Sequence, residues 1–435
     1  MEIAQKAHLA ATVLKTVSND DRTATLKMVH DALREAKDEV IAANVKDLDA
    51  AKSANLSPSL IKRLDLSTGD KYDSMLQGIL DVASLDDPVG KVTLARKLDD
   101  NLELYRLTCP VGVLLVIFEA RPEVIANITA LAIKSGNAAI LKGGKESLHS
   151  FTAIAKAVTK ALEKSKVPPG AIQLIATRDE VSSLLSQDQY IDLVIPRGSN
   201  ELVKHIKDNT KIPVMGHADG ICAIYVDQDA NAKMAADIVV DAKTNYPAGC
   251  NSVETLLINE KVISDKWPTV ASALVDANVE IRATPELIEA LPADLKSHCK
   301  TATEEDFKTE FLAHIIAAKS VPTVEDAMAH INSHGSSHTD CIITDNETTA
   351  GKFLKGIDSA GVYWNASTRF ADGFRYGFGT EVGVSTNKIH ARGPVGLEGL
   401  VNYQYILKGN GQIAASYLGA GGDKPFKHED LPLEN

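Results

Sequence analysis

Five cysteines are spread over 435 residues, and one of them, Cys250, lies where burial does not account for it. It sits in NYPAGCNSVETLL (245–257), behind Asn245, Pro247 and Gly249 and ahead of a short apolar run. Turn residues followed by a strand can present a thiol to a cleft, where backbone N–H groups stabilise a thiolate or an oxyanion. A loop cysteine without a role is the other reading of that context. Cys222 (ICAIYV) and Cys341 (CIIT) lie in strand-like apolar runs, as small core side chains do. Cys109 precedes Pro110 at a strand end, and Cys299 lies in the polar stretch SHCKTAT. An odd number of cysteines without CxxC spacing makes neither a disulfide framework nor a zinc site. Twelve histidines are scattered without metal-ligand spacing, and neither HExxH nor GxSxG occurs. No metal is expected.

Three other stretches have the residue types for ligand binding. In IPRGSNELV (195–203), a strand, then Arg197-Gly198-Ser199, then a helix would let a phosphate approach the backbone at a helix N-terminus. This is not a GxGxxG fingerprint, and Ser199 equally suits an ordinary N-cap. In AAILKGGKES (138–147), Lys142 ends an apolar strand, where the open edge of a parallel sheet binds ligands, although a lysine there is commonly just solvated. The Gly-rich stretch 372–400 suits a loop around a polar ligand or a long structural connection.

These residues need elements to hold them. Residues 1–90 carry apolar positions at helical spacing, among them Ala7, Ala10, Ala11, Leu14 and Val17, then Leu26, Val29, Leu33 and Val40. VTLARKLDD and LELYRLTC, with the turn Asp99-Asp100-Asn101, predict a strand pair. From residue 111 short all-apolar runs (VGVLLVIF, AAILK, AIQLIAT, IDLVIP) alternate with helical stretches, and ICAIYVD completes that set. Such alternation predicts an α/β chain with a doubly wound parallel sheet. A second alternation after Cys250 (VETLLI, VEIRA, FLAHIIAAK, CIIT, GVYWN) predicts a separate α/β domain. LVNYQYILKGNGQI reads as one more strand, and the tail after it as loosely held.

The apolar fraction of 44%, the charged fraction of 24% and the formal charge of −12 are those of a globular protein without a basic stripe, which excludes a nucleic-acid footprint. The longest apolar run has eight residues, too few to span a bilayer, and the N-terminus lacks a signal-peptide core. The cysteine usage predicts a reducing, intracellular compartment.

In order, FEARPEV (118–124), SGNAAILKGGKES (135–147), DLVIPRGSNELV (192–203), NYPAGCNSVETLL (245–257), VYWNASTRFADG (362–373) and FGTEVGVSTNKIHARGPVGLEGL (378–400) resemble the aldehyde dehydrogenase superfamily. Within it they resemble the gamma-glutamyl phosphate reductase family, over nearly the whole chain. The resemblance implies a cofactor domain over 1–91 and 111–244, a catalytic domain over 245–390, oligomerisation strands at 92–110 and 398–412, and a tail at 413–435. It makes Cys250 the nucleophile that attacks an acyl phosphate, with backbone donors and the Asn251 side chain at the oxyanion. It implies NADP(H), with Lys142 at the adenosine ribose, Gly198 and Ser199 at the pyrophosphate, and Glu310 at the nicotinamide ribose.

One departure from the superfamily carries information. Where hydrolytic members have a glutamate base in a Glu-Leu-Gly-Gly motif, PVMGHADG has no carboxylate before Gly216, which favours phosphate over water as the acceptor. Glu119 stands near those relatives' oxyanion asparagine. A substrate such as L-glutamyl 5-phosphate needs an anion and cations around it. Glu119, Arg121 and Arg369 are the candidates, with Asn365 and Thr368 from the same loop as Arg369, and His217 for phosphate or a proton. The resemblance further implies a cytoplasmic homodimer or larger homo-oligomer, with glutamate 5-kinase as the candidate partner. The alternatives are a non-phosphorylating aldehyde dehydrogenase, a silent NADP-binding relative and a cofactor-free cysteine hydrolase.

Overall fold

The run Val113–Phe118 is apolar at every position because both of its faces are covered, as in a parallel sheet between helices. In the computed structural model it is an inner strand of a four-stranded parallel sheet, in the order Ile172–Ile175, Ala138–Lys142, Val113–Phe118, Leu193–Arg197. The structure describes residues 2–433 apart from 120, 176, 177, 199 and 218, and it leaves the side chains of 59 and 178–180 undescribed. Two compact units emerge. The first comprises 1–198, 205–214 and 395–435; the second comprises 199–204 and 215–394.

In the first unit the N-terminal helices form as their spacing predicts. Asn19–Glu35 is capped by Ser18, whose Oγ accepts the Asp21 N–H at 3.1 Å, and it buries Leu26, Val29 and Leu33. Helix Val124–Lys134 is buried on nearly all sides, which accounts for its apolar sequence. After it, Asn137 accepts the Gly112 N–H at 2.8 Å and donates to the Leu400 carbonyl at 2.8 Å, tying the sheet to the returning C-terminal strand.

The same unit carries an antiparallel sheet in the order Val401–Lys408, Leu102–Pro110, Val92–Asp99, Glu429–Asp430. The last strand corrects the expectation of a loose tail. Asp430 and Glu429 pair with Arg96 and Lys97, and the Lys427 N–H reaches the Leu98 carbonyl at 2.8 Å. Tyr417 is buried, and its hydroxyl donates to Asp99 at 2.8 Å. Lys424 adds a close ion pair to Asp99, and together these two hold the Asp99 carboxyl well below the usual carboxylate range.

The second unit is built on a seven-stranded, wholly parallel sheet. Its order is Cys299–Thr301, Glu280–Ala283, Ile315–Val321, Val253–Asn259, Cys222–Val226, Thr339–Ile343, Gly361–Trp364. Cys222–Val226 therefore belongs here and not to the first sheet, where its place in the alternation had put it. The Cys250 strand and the Cys341 strand flank it on either side, so the second sheet begins well before residue 245. Trp267 is fully buried in this unit's core, with its indole N–H answered by the Leu287 carbonyl at 2.9 Å.

Candidate active site

Four neighbouring strands of the second sheet, Ile315–Val321, Val253–Asn259, Cys222–Val226 and Thr339–Ile343, run parallel, so their amino ends share one rim. Glu310, Cys250, His217 with Gly220, and His338 precede these four strands respectively. Residues far apart in the chain are thereby brought to one place by register alone.

Cys250 is half-buried in the turn between helix Ala232–Thr244 and strand Val253–Asn259. The turn is tight: the Gly249 N–H bonds to the Tyr246 carbonyl at 3.0 Å and the Ser252 N–H to the Gly249 carbonyl at 2.9 Å, with Tyr246 at φ 68°. Two glycines permit it. A Cβ on Gly220 would overlap the Cys250 backbone, and one on Gly249 would stand 2.6 Å from Nη1 of Arg369. The Cys222 thiol donates to the Cys250 carbonyl at 3.4 Å from below. Beneath the turn lies a fully buried ion pair, Lys243 Nζ to Glu254 at 2.6 Å, joining the helix to the strand. Burial pushes the Glu254 carboxyl up and the Lys243 ammonium down. Removing one partner strands the other charge, at a cost of about 3–5 kcal/mol.

Around the thiol, the ring nitrogens of His217 and His338 and Cys250 Sγ all lie within 4.8 Å of one another. The imidazoles meet edge to face at 5.0 Å. His217 Nδ1 stands 3.0 Å from the Val384 carbonyl, which can only accept, so Nδ1 carries a proton. Glu310 is half-buried, and its carboxylate accepts the Gly220 N–H. Burial pushes that carboxyl up, against the opposing pull of this hydrogen bond and of His217.

Arg369 is buried beside the turn, its guanidinium 5.8 Å over the Tyr246 ring. Among the described residues it has no carboxylate within ion-pair distance, and its Nε has no hydrogen-bond partner. Burial, and then Arg375, depress its basicity. A buried cation without an anion is costly unless a ligand supplies one. Thr368 next to it is fully buried, and its Oγ1 has no hydrogen-bond partner among the described residues.

Two expected residues are engaged elsewhere. Asn251 donates one amide hydrogen to the Ala371 carbonyl at 2.8 Å, and its Oδ1 has no hydrogen-bond partner among the described residues. Asn365 closes its amide on the Thr344 backbone, accepting at 2.9 Å and donating at 2.9 Å, beyond the carboxyl end of strand Gly361–Trp364. Gly220 and His338 were not singled out from the sequence. The only trace of either is its position directly before an apolar run.

In the first unit, Lys142 ends Ala138–Lys142 and Gly198 follows Leu193–Arg197, at the carboxyl ends of a sheet whose order reverses beside Val113–Phe118. Glu119 follows that strand, its N–H on the Arg197 carbonyl at 3.2 Å, and Arg121 comes next in the same turn. A cation and a side-chain-free residue at such a crossing suit a nucleotide's hydroxyls and phosphates. Ser199 lies outside the described residues.

The aldehyde dehydrogenase family model matches residues 1–287. A probable gamma-glutamyl phosphate reductase of Schizosaccharomyces pombe is 57% identical over 440 residues, covering 100% of this chain and 98% of that protein. The gamma-glutamyl phosphate reductase of Saccharomyces cerevisiae is 58% identical over 448 residues, with the same coverage. The crystal structure of the enzyme of that name from Thermotoga maritima superposes with a TM-score of 0.91 at 36% identity, covering 95% of this chain and 99% of that one. The chain belongs to the gamma-glutamyl phosphate reductases of the aldehyde dehydrogenase family.

Proposed function

We propose that the chain reduces L-glutamyl 5-phosphate to L-glutamate 5-semialdehyde and inorganic phosphate with NADPH, in proline biosynthesis. Full-length identity of 57–58% to reductases of that name carries this reading, and a half-buried thiol beside a buried arginine with no carboxylate partner among the described residues is its chemical counterpart.

The Cys250 thiolate attacks the acyl carbon, phosphate leaves with the C–O bonding pair, and a thioester forms on the sulfur. The backbone N–H groups of Cys250 and Asn251, which take no part in the turn's own backbone hydrogen bonds, serve the oxyanion of this step and of the next. NADPH, when bound, supplies the hydride that takes the thioester to a thiohemiacetal. Collapse of that adduct releases the aldehyde and returns the thiolate. Lys142, Gly198 and Ser199 hold the nucleotide's adenosine and phosphate portion and Glu310 its nicotinamide ribose. Arg369, with Thr368, takes a substrate anion; His217 holds the departing phosphate or moves a proton; Glu119 and Arg121 serve the amino acid end. No carboxylate stands before Gly216, so the glutamate with which hydrolytic members activate water against the thioester has no counterpart there.

No helix of the described residues is long and apolar enough to cross a membrane, and all five cysteines are free, in keeping with a reducing cytoplasm. Among the described residues strand Val401–Lys408 bonds one neighbouring strand, and it exposes Tyr403, Tyr405 and Leu407, the surface of a homodimer or larger assembly that sedimentation over a range of concentrations tests. Glutamate 5-kinase, which makes the labile substrate, is the proposed partner. With that kinase, ATP and glutamate as the source of acyl phosphate, the chain must oxidise NADPH. Failure to do so with substrate demonstrably present would remove the reading.

A further inference from the structure

We infer that His217, Cys250 and His338 form a binding site for a thiophilic divalent cation, Zn2+ in the first instance, and that the bound ion masks the nucleophile reversibly. Sequence spacing hides this site, because its three residues are far apart in the chain and meet only at the amino ends of adjacent parallel strands.

Three observations carry it. The ligand atoms lie within 4.8 Å of one another, whereas tetrahedral zinc with two nitrogens and one sulfur wants them roughly 3.3–3.8 Å apart, so side-chain rotations closing about 1 Å complete the set. Both imidazoles are already held at Nδ1 by a neighbouring group, as metal-binding histidines commonly are. His217 Nδ1 is fixed by the Val384 carbonyl, and His338 Nδ1 lies 2.9 Å from Thr339 Oγ1. Finally, His338 is 1% exposed and its Nε2 has no hydrogen-bond partner among the described residues. A buried ring nitrogen left unpaired is unfavourable, and a metal bond would offset that.

On binding, the Cys250 thiol gives its proton to water, a zinc–sulfur bond forms, and water fills the fourth position; no electron is transferred. Acyl phosphate and metal then compete for one sulfur. The site suits N/S-seeking cations and not Mg2+, which prefers oxygen ligands.

The inference is tested on the nucleotide-free full chain, without substrate, so its outcome is independent of turnover. Co2+ should bind one per chain with a near-ultraviolet thiolate-to-cobalt charge-transfer band that Zn2+ abolishes and Cys250→Ser lacks. Competition should show Zn2+ affinity falling at least roughly tenfold in His338→Gln and in His217→Gln. Absence of the band, or unchanged Zn2+ affinity in a folded His338→Gln, overturns the site; in the latter case the unpaired nitrogen serves the substrate anion alone. Should the variants not fold, alkylation of wild-type Cys250 by iodoacetamide, mapped by mass spectrometry, decides. Zn2+ must protect that cysteine and a chelator must restore it, and unprotected alkylation at saturating Zn2+ overturns the proposal.

Discussion

Arg369 separates a binding role from a structural one. It is buried beside Cys250 without a carboxylate partner among the described residues, so the folded chain carries an uncompensated charge until an anion arrives. Arg369→Met therefore has two expected effects of opposite sign. Loss of charge-assisted hydrogen bonds to the substrate removes about 1.5–3 kcal/mol, roughly a 10- to 150-fold fall in kcat/KM. Thermal unfolding should shift upward or stay unchanged. A fall in melting temperature with kcat/KM preserved would make Arg369 a packing residue. Cys250 stood out in the sequence because a cysteine among turn residues contrasts with Cys222 and Cys341 in apolar runs, whereas Arg369 and Thr368 became candidates only through the family resemblance and the charge of its substrate. Asn365 became a candidate in the same way, and its amide closes on the Thr344 backbone, as a polar loop side chain commonly does.

At the scale of elements, the site depends on strand register. Gly220 touches nothing that reacts, yet it lets strand Cys222–Val226 approach the Cys250 turn and donates its N–H to Glu310. Gly220→Ala should displace both groups, and a misplacement of about 1 Å costs on the order of 100-fold in kcat. Kinetics beside a thermal melt checks this; a folded variant with wild-type kcat would contradict the account. Gly220 and His338 escaped the sequence reading because a residue directly ahead of a strand gains meaning only once its neighbouring strands are known. The same gap misassigned Cys222–Val226, whose apolar run fits either parallel sheet. Strand existence was readable from periodicity, whereas partner choice depends on long-range pairing that no local pattern encodes.

At the scale of the molecule, the C-terminal tail depends on one carboxylate. Lys424 and Tyr417 depress the Asp99 pKa, so the clamp stabilises the folded tail fully above the ordinary carboxylate value, near 3.9, and loses that contribution as pH falls through the lower folded value. Hydrogen exchange over 413–431, corrected for intrinsic rate, should be slow at neutral pH and quicken on acidification below about pH 4. Asp99→Asn should be fast already at pH 7 and gain little from acid. Equal protection in wild type and variant would mean that the backbone pairing alone holds the tail.

The central claim, that Cys250 passes an acyl group between phosphate and NADPH chemistry, is tested most directly in reverse. NADPH formation from glutamate semialdehyde and NADP should require inorganic phosphate and should vanish in Cys250→Ala. Turnover that continues at full rate without phosphate, with water as the acceptor, would contradict it.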